Sequence, residues 1–209
     1  MLYFSNVKVR GQEKTLHSKQ KMKTRLTIVE TIENVDFSKQ RMDFSRCENM
    51  AFIHCHFPDF GNIDFTDCLF EDCNLSNVKF NNCKLDNVEF YDCKMVGASF
   101  TQTKDFAFEA HFFNSNLDYS AFDRKKLNKS TFAQCRFHEA NFTQTDFTKA
   151  KLSQCDFTSA LFDKTNLTGV DMRSCSNFLI DPTQNFIKKA KFRAQDLAGL
   201  LYRFDIQIS

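Results

Sequence analysis

At 209 residues the chain has room for one or two domains, but 26 Phe with no Trp, two Pro and five Gly is unlike an ordinary globular enzyme. No stretch approaches 18 consecutive apolar residues, which excludes a membrane-spanning helix. The net charge of +2 is uneven: residues 1–34 carry +4, residues 35–177 carry −4 and residues 178–209 carry +2, so a basic nucleic-acid-binding body is not expected.

In chain order, residues 1–34 show no regular pattern and read as an N-terminal extension, within which Met22 would serve as a second start. The beginning is polar and basic and lacks the apolar core of a signal peptide, so a cytoplasmic address is expected. A five-residue spacing then begins with Phe37, Met42, Phe52 and Phe57, with Val35, Met50 and Cys55 two positions before three of them. After a break centred on residues 58–62 the spacing runs through Phe65, Phe70, Leu75, Phe80, Leu85, Phe90, Met95 and Phe100. A second break covers residues 101–111, and the spacing resumes at Phe112 and continues without a miss to Leu167 and Met172.

A period of five fits neither a helix at 3.6 nor a strand at 2.0. It fits a chain that turns a corner every five residues. Position i, always Phe, Leu or Met from residue 65 to 100 and from 112 to 172, points inward together with i−2, which is small or short and apolar except at Lys125. Four such sides close a square coil of about 20 residues, and coils stack by strand pairing at about 4.8 Å. The expected fold is therefore all-β, a quadrilateral β-helix over residues 35–177, with a cap at residues 178–209. An unpaired buried ammonium is costly, so at Lys125 either the chain bulges or the stem snorkels out, and the bulge is the favoured expectation.

Eight of the nine Cys (Cys55, Cys68, Cys73, Cys83, Cys93, Cys135, Cys155 and Cys175) fall at i−2. That makes them reduced, small buried hydrophobes rather than disulfide partners. There is no CxxC pair and no His placed to complete a zinc site, so neither metal nor cofactor is expected. The five His sit beside no nucleophile-and-orienter set, and a filled solenoid lacks a deep cleft, so no catalytic residue is assigned. His54 and His56 flank inward Cys55 and should face water. In the tail, Leu197, Leu200, Leu201 and Phe204 at i, i+3, i+4 and i+7 make the apolar stripe of a short helix.

The repeat resembles the pentapeptide-repeat family, A-(D/N)-(L/F)-x-x, over about residues 35–177, as in Ala140-Asn141-Phe142 and Val170-Asp171-Met172. Two stretches, the first interrupted and so seen in two parts, are similar to the subgroup of Qnr-type quinolone-resistance proteins and albicidin- and microcin-immunity proteins. They are Cys93-Lys94-Met95-Val96-Gly97, Asn114-Ser115-Asn116-Leu117-Asp118, and a tail containing Ile180-Asp181-Pro182 and Leu200-Leu201. The resemblance implies a right-handed, non-enzymatic rod that forms a homodimer through its C-terminal segment. It also implies binding to DNA gyrase or topoisomerase IV, and protection of these enzymes from poisons by imitating duplex DNA rather than by binding nucleic acid.

On that reading two regions are candidate partner-binding surfaces. One is the acidic stretch 59–92, with Asp59, Phe60, Asp64, Asp67 and Asp72; it holds eight acids against Lys79 and Lys84. The other is the second break, with Asp105, Phe106, Phe108 and Glu109, since loops on a rigid scaffold usually carry function. Phe60, Phe106 and Phe108 have no inward position in the five-residue frame. Leu197, Leu200, Leu201 and Phe204 are the candidate dimerisation residues. The run Arg124-Lys125-Lys126 with Lys129 departs from an acidic, phosphate-like surface. The alternative reading is an interaction or immunity protein with a partner other than a topoisomerase.

Overall fold

The computed structural model describes residues 26–39, 45–106, 108–204 and 206–207. Met42, Met22 and the first 25 residues of the expected extension lie outside them. The described chain winds as a right-handed quadrilateral β-solenoid, the hand that parallel crossovers take. One side is a seven-stranded parallel sheet of β1 (Glu30–Glu33), β3 (Met50–Ile53), β5 (Leu69–Glu71), β7 (Val88–Tyr91), β8 (Ala110–Phe113), β9 (Thr131–Ala133) and β10 (Lys151–Ser153). A second side carries β2 (Arg46–Glu48), β4 (Asp64–Thr66) and β6 (Leu85–Asp86). The other sides pair through single bridges, such as Asn116 with Arg136 and Ala121 with Asn141.

The corner chemistry explains the period. Many corners are tight turns in which the amide two residues before the next inward side chain donates back to the previous inward carbonyl. Val78 N–H donates to Leu75 O at 3.3 Å, Ala98 to Met95 at 3.1 Å and Ala140 to Phe137 at 3.1 Å. In these three the residue before the donor is left-handed, with φ of 61° at Asn77, 71° at Gly97 and 54° at Glu139, as a type II turn requires. Other corners of the first half are left-handed as well, at Asp67, Asp72, Asn87 and Asp92, and Asn and Asp are the types that tolerate this conformation best. At Gly97 a side chain is excluded twice over, because a Cβ would lie 2.4 Å from Asn77 Oδ1.

Inside, each face of the coil stacks like residues. Phe52, Phe70, Phe90, Phe112 and Phe132 form one ladder with ring centroids 4.9–5.0 Å apart. Phe60, Phe80, Phe100, Phe122, Phe142 and Phe162 form another. Phe60 is thus a core residue, 2 % exposed, and this corrects its place among the surface candidates. The first break is a shortened coil: His56 bridges Asn74, eighteen residues on, where the next step from Asn74 to Lys94 is twenty. Dropping two residues brings the ring three positions after Phe57 into the aromatic ladder. Cys47, facing Phe65 across β2 and β4, occupies a large-residue position in the earlier frame.

The small i−2 positions also form ladders. Cys55, Cys73, Cys93, Ser115, Cys135, Cys155 and Cys175 follow one another coil by coil, and the Sγ–H or Oγ–H groups of the first six are directed at main-chain carbonyls such as Phe52 O (3.3 Å from Cys73) and Phe112 O (3.4 Å from Cys135). On another face Thr103, Thr145 and Thr165 donate to Phe100, Phe122 and Phe142 carbonyls at 2.7–2.8 Å. These partners let polar atoms enter the core without the cost of an unmade hydrogen bond. All nine cysteines are buried and free, and burial pushes Cys83 up to about 11 and Cys68 up to about 12. We therefore expect no thiol to react with a maleimide within minutes in native protein and all nine to react in denaturant. Fast native labelling of Cys135 or Cys155 would show that the ladder opens.

The coil continues beyond the expected limits at both ends. Ile32 of β1 is fully buried, and the bridges Asn166 to Phe186 and Asp171 to Lys191 extend pairing past residue 177. The end is covered by a 3₁₀ turn (Ala194–Asp196), the short helix α1 (Ala198–Leu201) and a second 3₁₀ turn (Tyr202–Phe204). Gly199 lies so close that a Cβ would meet Phe178 O at 2.3 Å, and its carbonyl accepts from Ile180 N–H at 2.9 Å.

Asp181 ties this cap down, accepting from Thr183 Oγ1 at 2.7 Å and from Arg203 at 3.1 Å. Thr183's hydroxyl and amide, then Arg203, hold the Asp181 carboxyl below its usual range, and Arg173 holds Asp171 down to about 2. Folded values below the unfolded one, about 3.9, mean that these carboxylates stabilise the fold above about pH 4 and lose that effect as pH falls through the folded values. The melting temperature should therefore fall from about pH 4 downward, and Asp181→Asn should shrink the fall. An unchanged profile in that variant would remove Asp181 from the account.

Candidate interaction surface

The second break is a lengthened coil. Lys94 bridges Asn116, twenty-two residues on, before the twenty-residue step from Asn116 to Arg136 resumes. The extra chain leaves the coil after Phe100 and is held at several points. Thr103 N–H and Oγ1 both donate to Phe100 O, at 3.1 and 2.7 Å, and Lys104 N–H donates to Cys83 O at 2.9 Å. Phe108 turns inward, 4 % exposed, with its ring edge-on to Phe100 at 6.5 Å. Like Phe60, it belongs to the core and is withdrawn from the surface candidates.

Lys125 is the main staple. It keeps the inward i−2 position, since its amide donates to Phe122 O at 3.0 Å as at any regular corner, so the expected bulge is absent. Its side chain is 3 % exposed, and its ammonium donates to Thr103 O and to Asp105 Oδ1, both at 2.7 Å, beside the Phe108 ring at 5.9 Å. A core lysine is tolerated here because the loop brings it a carbonyl and a carboxylate. Two further ion pairs flank it, Lys104 to Asp64 at 2.7 Å and Lys129 to Glu109 at 3.2 Å.

What the loop presents is Phe106. Its ring is 78 % exposed, the most exposed of the large hydrophobic side chains described, with Lys84 Nζ 6.0 Å from its centroid. Asp105 beside it is 68 % exposed. The structure thus brings Asp64, Asp105, Phe106 and Glu109 to one patch, with Lys84, Lys104, Lys125 and Lys129 interleaved. Asp59, Asp67 and Asp72 lie elsewhere: Asp59 accepts from Phe60 N–H at 2.8 Å, Asp67 from Asn87, and Asp72 stands 3.8 Å from His54. Near the loop the carboxylates are paired, while at the corners Asp72 and Asp92 remain open to water.

Sequence reasoning missed the lysines as partners of this loop. The signal was present, since Asp105 and Lys125, and Glu109 and Lys129, are each one coil length apart.

A protein-family model, described as pentapeptide repeats, matches eight copies over residues 63–102, 108–148 and 140–176. The chain belongs to the pentapeptide-repeat family. Residues 103–107, which the match skips, fall within the stapled loop. A search of curated proteins found no match. Among solved structures, a trypsin-treated variant of QnrB1, a plasmid-mediated fluoroquinolone resistance protein, is similar at TM-score 0.60 and 21% identity, over 86% of this chain and 97% of that one. Full-length QnrB1 is similar at TM-score 0.52 and 20% identity, over 84% of this chain and 97% of that one. At this identity the likeness is one of fold. In this pentapeptide-repeat protein no described helix is long and apolar enough to cross a membrane.

In the tail, Leu200 faces the solenoid core and is 8 % exposed, which removes it from a surface available to a second copy. Leu201 is half-buried, whereas Leu197 and Phe204 are exposed, as are Leu179, Tyr202 and Ile206.

Proposed function

We propose that this pentapeptide-repeat protein is a non-enzymatic binding protein that protects a cytoplasmic type II topoisomerase, DNA gyrase or topoisomerase IV, from a poison of the quinolone, albicidin or microcin type. The observation that carries the reading is the stapled loop, which fixes an exposed aromatic ring beside charged groups on an otherwise regular rod. Aromatic anchors of this kind supply most of the binding energy in many interfaces. The likeness of fold to a fluoroquinolone resistance protein supports the choice of target class. The corner carboxylates Asp72 and Asp92, one coil apart, with Asp67 on the adjacent corner, would face the positive groove that normally holds DNA phosphates, which makes DNA mimicry the proposed mode.

Two outcomes test the mode. Reversing Asp67 and Asp72 to Lys should abolish binding to gyrase, whereas Phe106→Ala should weaken binding while keeping its further weakening with salt. Binding that ignores both changes would leave the alternative, a partner other than a topoisomerase, as the better reading.

The exposed apolar tail supports a homodimer built through Leu197, Leu201 and Phe204. Leu197→Glu with Phe204→Glu is expected to halve the mass measured by light scattering without lowering the melt by more than about 1 kcal/mol, since both side chains face water in one protomer. An unchanged mass, or a wild-type monomer, would reduce the tail to a cap.

A further inference from the structure

Beyond the stapled loop, one side of the solenoid is built by the bridges Lys126 to Asp146, Asp146 to Asn166 and Asn166 to Phe186. Its two edges are left-handed corners. Arg124, Gln144 and Lys164 follow one another along one edge and Lys149, Gly169 and Lys189 along the other, with φ between 52° and 74°. Four of these six places hold Lys or Arg, where Gly, Asn or Asp suits the backbone best. None of the other described left-handed corners from Asn114 to Asn177 holds a Lys or Arg. The fold asks for none of these bases, so their gathering on one side has a cause outside the fold. Arg124, Lys126, Lys149, Lys164, Lys188 and Lys189 are all exposed, and none makes an ion pair among the described residues, unlike Lys104 and Lys129 beside the loop. The acids of these coils on this side are Asp123, Asp146 and Asp163, and Asp146 is turned onto Thr148, whose amide donates to it at 2.9 Å. Phe186 stands among the lysines, 61 % exposed, on a column that is otherwise polar.

We propose that this side of the rod binds a single-stranded nucleic acid, with phosphates against the lysines and one base stacked on Phe186. Unpaired lysines held close together on a rigid scaffold repel one another, and a polyanion relieves that repulsion while releasing its own counterions. The exposed ring decides between polyanions. A base offers Phe186 a flat face to stack on, which a duplex keeps covered by its neighbouring bases and an acidic peptide lacks. Four coils at about 4.8 Å make the patch about 15 Å long, enough for a few nucleotides. The carboxylates Asp72 and Asp92 stand on a different corner, so this binding leaves the surface proposed for the topoisomerase free.

Fluorescence anisotropy of a labelled short oligothymidylate, titrated with the full chain, tests this without any topoisomerase present. About five neutralised phosphates give a slope of about −3.5 in log affinity against log salt, so binding should weaken about 100-fold between about 50 and 200 mM salt. Lys149→Glu with Lys189→Glu should weaken binding at the lower salt by about tenfold or more, and Phe186→Ala by about tenfold. All three side chains face water, so the melts of these variants should match that of the wild type. The duplex with oligoadenylate should bind less tightly and be indifferent to Phe186→Ala. No binding at the lower salt, or binding that both variants leave unchanged, would overturn the proposal. So would a duplex that binds as tightly as the strand. Polyglutamate that binds more tightly than the strand would overturn it too, and would assign this side to an acidic protein.

Discussion

Phe112→Ala is expected to destabilise the protein by about 3–5 kcal/mol, close to the upper end of single-residue effects. The Phe112 ring is fully buried and stacks on Phe90 and on Phe132 at 5.0 Å each, while meeting Phe100 edge-on at 5.6 Å. The cavity cannot collapse easily, because strand pairing above and below fixes the coil spacing. In a solenoid each coil is held only by its neighbours, so a weak coil in the middle divides the rod into two blocks. Urea unfolding should therefore show both a lower midpoint and a broader transition. A loss below about 1 kcal/mol would mean that the Phe ladder is not the main source of stability.

Asp105→Ala is expected to cost about 1–3 kcal/mol and to loosen the stapled loop. It leaves the buried Lys125 ammonium with Thr103 O and the face of Phe108, but without its carboxylate. Removing the charge as well should return much of the loss, because Lys125→Met has nearly the volume of the lysine stem and needs no partner. The double variant Asp105→Ala, Lys125→Met should thus be more stable than Asp105→Ala alone. If the two losses simply add, the pair is not coupled and the staple is misassigned.

The solenoid was legible because its determinants are local and repeated: one large and one small inward residue for every corner, over many coils. The same regularity hid the exceptions. Phe60 stands three residues after Phe57, so a reading in steps of five leaves it outside, whereas the coil absorbs a two-residue deletion and keeps the aromatic ladder intact. Phe108 was missed for the opposite reason, an inserted stretch that returns to the core off frame. Lys125 looked like a broken position because a lysine alone cannot be buried. Its partners are one coil away, and a pattern read along the chain does not count contacts between coils.

The central claim is that the loop bearing Phe106 serves topoisomerase protection. Supercoiling by purified gyrase at a quinolone concentration that stops the reaction tests it most directly, with albicidin and a microcin as parallel poisons. Wild-type protein should restore supercoiling against at least one of them. A variant lacking residues 103–106, paired with Lys125→Met so that no ammonium is left buried, should keep its melt and fail to restore it. Failure of the wild type against all three poisons, with both topoisomerases, would contradict the account and leave a pentapeptide rod that serves some other partner.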